Sequence, residues 1–179
     1  MKKYIGIGEK VNKLLMISSN IEKENLLCIV PSPDITYNTF PARCLKDINY
    51  IKEYECKDGD LEIKLTPWLD AEDRLFVQQF LAKAKCVTIA VQMEDNETSF
   101  IQTVLLAKFA FNLGIEVRVI ICTTAGLYGA AEKYIEFLGQ FIRCLPSTIE
   151  YYQVALNQWA EEEEDDFIID TSGELFNYI

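Results

Sequence analysis

The 179-residue chain contains no histidine. The usual zinc ligand sets, and every nucleophile activated by an imidazole base, are therefore excluded. Its six cysteines, Cys28, Cys44, Cys56, Cys86, Cys122 and Cys144, show no C-x-x-C spacing, so the common metal and redox signatures are missing too. Cys28, Cys86 and Cys122 lie in apolar, strand-like runs and read as reduced thiols that act as small hydrophobes. No apolar run approaches the roughly 18 residues needed to span a bilayer. The start MKKYIGIGEK goes straight into strand-like sequence, so no leader is expected and a cytoplasmic location is the default. Basic residues are missing from one region: residues 1–143 hold 19 acids and all 17 bases, whereas residues 144–179 hold nine acids and no base. With a net charge of −11 placed this way, nucleic acid and anionic membranes are not expected as partners. Internal repeats and low-complexity linkers are also absent.

What remains is half hydrophobic and a quarter charged, the composition of one globular domain. The stretch Lys85–Thr124 organises it. Cys86–Met93 is a short, β-branched apolar run, as a strand buried on both faces should be. Thr98–Asn112 suits a helix, Gly114 suits its stop, and Val117–Cys122 is a second buried strand. Strand, helix and strand at this spacing form a right-handed crossover unit of a parallel sheet. The loop Gln92–Ser99 then lies at a strand's carboxyl end, where ligands bind in such sheets.

Elsewhere, Lys3–Ile7 and Leu26–Val30 read as strands, with a short amphipathic helix over Lys10–Ser18 between them. Tyr50–Cys56 and Leu61–Leu65 alternate around Asp58-Gly59, which predicts an edge hairpin ended by Thr66-Pro67. Asp70 is placed to cap a helix with Phe76, Val77, Phe80, Leu81 and Ala84 inward. Further helices are expected over Ala130–Leu138 and Ser147–Trp159, with a strand over Phe141–Leu145. Glu161–Asp166 is a solvated acidic run or a docking site for a basic partner. The apolar Phe167–Asp170 and Glu174–Ile179 are expected to fold back onto the domain.

Gly6-Ile7-Gly8 joins the first strand to the first helix, the position of a phosphate loop. Two glycines alone are also what any tight strand-to-helix turn needs, and Glu9 puts a carboxylate beside them.

This order of elements resembles the N-terminal nucleotide-binding half of the tubulin and bacterial tubulin-like (FtsZ-like) division GTPases. Ile5-Gly6-Ile7-Gly8 with Asn12, Glu72-Asp73-Arg74 opening a helix, and the Gly114-Ile115-Glu116 turn carry the likeness, which covers residues 4 to about 146. It implies a three-layer Rossmann-like α/β domain, a mostly parallel sheet flanked by helices, with residues 147–179 as an acidic extension packed on it. It also implies a nucleotide site at Gly6, Gly8, Asn12, Glu94, Asp95, Asn96, Thr98 and Ser99.

The family's GGGTGTG signature, however, falls on Glu94-Asp95-Asn96-Glu97-Thr98-Ser99-Phe100. Every glycine is replaced, and three carboxylates stand where a phosphate would sit. Two like charges at about 4 Å repel by roughly 1 kcal/mol in water and about 4 kcal/mol near a protein surface. Asp95, Asn96 and Glu97 have a simpler use as caps of the following helix. The family's hydrolysis also needs acidic residues from a C-terminal half, which the resemblance, ending near residue 146, does not reach, so family-type GTPase activity is not expected. The expectation is a non-catalytic domain with a degenerate site, no cofactor and no catalytic residue, acting through a protein partner. That partner would be a second copy or a full-length tubulin-like GTPase. Two alternatives stand beside it. One is GTP or GDP binding with magnesium through Gly6, Gly8, Asn12, Thr98 and Ser99. The other is an unrelated α/β enzyme acting on a small molecule.

Overall fold

Strands that are apolar at nearly every position need cover on both faces, and this chain supplies it by stacking them side by side between helices. The computed structural model describes residues 1–37, 39–45, 49–57, 60–92, 97–124, 139, 143–156, 175 and 179. Within them the order is β1 (Lys2–Ile7), α1 (Glu9–Ile17), β2 (Leu26–Ile29), β3 (Ala42–Arg43), β4 (Asn49–Lys57), β5 (Asp60–Trp68), α2 (Ala71–Phe80), β6 (Cys86–Gln92), α3 (Glu97–Asn112), β7 (Glu116–Thr124) and β8 (Glu150–Leu156). Six strands make one sheet in the order β3-β2-β1-β6-β7-β8, and all of its pairings are parallel. Without the β4–β5 pair, that is the 3-2-1-4-5-6 order of doubly wound, Rossmann-like sheets.

The period of two along each strand divides the core. Ile5, Ile7, Leu27, Ile29, Ile89, Val119 and Ile121 pack with Val77 and Leu81 of the α2 segment and with Phe100 and Val104 of α3. Tyr4, Leu26, Cys28, Ala90, Ile120, Cys122 and Val154 pack with Val11, Leu14 and Leu15 of α1, and Leu175 joins them. Helices thus cover both faces. Every residue of α3 from 100 to 107 is buried, the polar Gln102 and Thr103 included, so the helix is covered on all sides there. β5 lies against it.

Several expectations need correcting. The hairpin does form, but as a separate two-stranded sheet and not on an edge of the main one. It also runs further than expected, because Pro67 pairs with Tyr50 inside β5. Each strand of a two-stranded ribbon has an open side, where a missing N–H is harmless. α2 ends at Phe80, followed by a turn in which Lys83 takes φ 67°.

The largest change is Glu150–Leu156, expected within a helix and found as strand β8, parallel to β7. Parallel neighbours need a crossover that returns the chain to the starting end. Arg143 and Cys144, expected in a strand, are helical within that crossover. Tyr151, Tyr152 and Val154 then suit the pleated edge better than a helix. The expected helix at 130–138 and the acidic run at 161–166 lie outside the described residues, as does the 58–59 turn pair. Among the described residues, no helix is long and apolar enough to cross a membrane.

Candidate functional site at the carboxyl ends of β1 and β6

The chain leaves β1 for β2 on one side, while β6 lies on the other, so the sheet order reverses at β1. In doubly wound sheets the crevice at that reversal, outside the strands' carboxyl ends, is where ligands bind. Here it is bordered by the turn Gly8 makes into α1 and by Gln92, the last residue of β6.

Gly6 and Gly8 are both required, for different reasons. A Cβ on Gly6 would come within 2.2 Å of Asn12 Oδ1 and 2.9 Å of Leu15 Cδ1, so a bare Cα lets α1 lie close to β1. Gly8 has φ 105°, a region that side chains disfavour, and its Cβ would meet the Gln92 Cβ at 2.6 Å. Asn12 is 1% exposed and its Nδ2 donates to the Ile29 carbonyl over 3.0 Å, tying α1 to the end of β2. Its Oδ1 is buried and accepts no hydrogen bond. Tyr37 lies beside it; burial pushes the phenol's pKa up, and the Asn12 amide pulls it back down.

The first turn of α1 has no cap from Gly8. The cap comes from across the sheet: the Lys10 backbone N–H donates to Gln92 Oε1 over 3.1 Å. Gln92 is 4% exposed, so its carboxamide fills the space beside Gly8. Glu9 points away into solvent and pairs with Lys13 at 2.7 Å. A phosphate bound at this turn would need the Lys10 amide and close approach to Gly8. Both are taken by Gln92, and the turn does not fit a nucleotide phosphate.

The other predicted site residues are placed less tellingly. Thr98 is exposed and Ser99 half-buried at the start of α3, where the Ser99 carbonyl accepts from Thr103 Oγ1 over 2.8 Å. Glu94, Asp95 and Asn96 lie outside the described residues. Gln92 was not among the residues singled out from sequence. Its only signal was a polar side chain ending an otherwise buried strand, CVTIAVQ.

The Glu72-Asp73-Arg74 motif has a structural use. Asp70 caps α2 by accepting from the Asp73 N–H over 2.7 Å. Arg43 of β3 donates from Nε to Asp73 Oδ1 at 2.6 Å and from Nη2 to Glu72 Oε1 at 2.7 Å, with its guanidinium 5.0 Å from the Phe76 ring centroid. This clamps the sheet's edge strand to α2. Among the described residues, no group of three Cys, Asp or Glu side chains is arranged to hold a metal ion. By sequence, the chain matches no protein-family model and no curated protein.

Proposed function

We propose that this chain is a non-catalytic, tubulin/FtsZ-like domain whose nucleotide crevice is closed by its own side chain, and that it works in the cytoplasm through protein–protein contact. Its partner is a second copy or a full-length tubulin-like GTPase. The observation that carries this reading is Gln92, whose Oε1 takes the Lys10 amide while its Cβ crowds Gly8. The doubly wound strand order and the Gly6–Asn12 contact support the family part of the reading. The replaced signature at positions 94–100 supports the degenerate part. Binding of GTP or GDP with magnesium would require Gln92 to leave the turn, which makes it the weaker reading.

Sedimentation velocity over a wide range of protein concentration, alone and with an assembled tubulin-like GTPase, tests the contact function. Concentration-dependent association, or co-sedimentation with the filament, is expected. A chain that stays monomeric and remains in the supernatant in both settings would sink the proposal.

A further inference from the structure

We infer that Gln92 is the specificity-setting residue of the crevice: its neutral carboxamide stands at the α1 N-terminus in place of an anion and bars anions from that turn. The inference deepens the closed-crevice reading and rests on it.

A helix N-terminus leaves backbone N–H groups without partners and carries a partial positive charge. An oxyanion or an acidic side chain is the usual answer to both. Here Gly8 supplies no side-chain cap, and the acceptor comes from another element, Gln92 Oε1 at 3.1 Å from the Lys10 nitrogen. The residue is held firmly enough to serve. It ends a strand buried from Val87 onward, is 4% exposed, and packs so close to Gly8 that a Cβ there would meet the Gln92 Cβ at 2.6 Å.

The choice of an amide also has a reason. At 4% exposure, a carboxylate at position 92 would carry a full charge out of water. A carboxamide accepts the same hydrogen bond without charge. Removing it beyond Cβ frees an amide donor and about the bulk of a small oxyanion.

The test uses the full chain and inorganic phosphate, with thermal unfolding followed at constant ionic strength against chloride. Wild type is expected to show the same Tm with and without phosphate. Gln92→Ala is expected to melt about 2–4 °C lower, the shift that one lost cap produces in a domain of this size. It should recover most of that loss in phosphate but not in chloride, because a ligand that binds only the folded state stabilises it by mass action. Gln92→Leu, which keeps the bulk without an acceptor, should melt lower and ignore phosphate. If Gln92→Ala does not fold, Gln92→Ser, which is shorter than glutamine and keeps one small polar group, should show a weaker form of the same phosphate-dependent recovery.

An unchanged Tm in the alanine variant, or phosphate raising wild type and variant alike, overturns the inference. So does a variant that melts lower but gains nothing from phosphate. These failures are distinct from failure of the parent reading, which would appear as nucleotide binding by the wild type itself.

Discussion

Gly6 shows how much one missing Cβ can decide. Asn12 must sit over it to reach the Ile29 carbonyl, and nothing larger than hydrogen fits beneath. Gly6→Ala is expected to cost about 1–3 kcal/mol through overpacking, read as a lower urea midpoint with an unchanged m value. Cysteine chemistry makes a second prediction at this scale. Burial pushes the Cys28 thiol from 9.0 up to about 12, and burial raises Cys122 as well. The folded protein therefore keeps protons that the unfolded chain releases. This stability is present in full below pH 9 and is lost as pH rises from there towards 12. The slope is about 1.4 kcal/mol per pH unit for each thiol. Urea midpoints of wild type and Cys28→Ala, measured from neutral to alkaline pH, should converge as pH rises. Parallel curves would show that Cys28 does not titrate this way. The two glycines were legible in the sequence because a strand-to-helix turn has a recognisable residue pattern, whereas Asn12 was singled out only through the family resemblance. Gln92 was not, since its role depends on the β1–β6 register, which pairs Ile7 with Val91 and so brings residue 92 beside Gly8.

At the scale of elements, α2 is held by its start and by its flank. Asp70→Ala removes the cap and should cost about 1 kcal/mol. Arg43→Met leaves Asp73, which is 1% exposed, without that ion pair, and a loss of about 2 kcal/mol is expected. Chemical denaturation of the two single variants and the double variant measures both effects. A double-variant loss different from the sum would report coupling through Asp73, which both residues touch. This helix could be read from sequence because its cap and its inward residues lie within one element. Its last turn could not, and neither could β8. Tyr151, Val154 and Ala155 fit a helical stripe as well as a strand, and the deciding factor is a parallel partner, β7, which pairs Arg118 with Glu150. The ribbon was legible as a hairpin for the same local reasons. Its detachment from the main sheet goes with its place against α3, a helix buried at every residue from 100 to 107 that β5 helps to cover.

At the scale of the molecule, the α/β class and the central crossover followed from apolar run lengths, and the sheet order agrees with them. Among the described residues near the end of the chain, Leu175 is 1% exposed within the α1-side core. Leu175→Ala should therefore destabilise the whole fold by about 2–4 kcal/mol, seen as a lower Tm in calorimetry. A neutral result would mean that this face closes without it. The site was half legible at this scale. The sequence singled out the turn at Gly6 and Gly8, but not the hydrogen bond that Gln92 makes to it. Isothermal titration of the wild-type chain with GTP, GDP and ATP, each with and without magnesium, tests that claim most directly. No binding is predicted for any of them, and micromolar affinity for one would contradict the closed crevice.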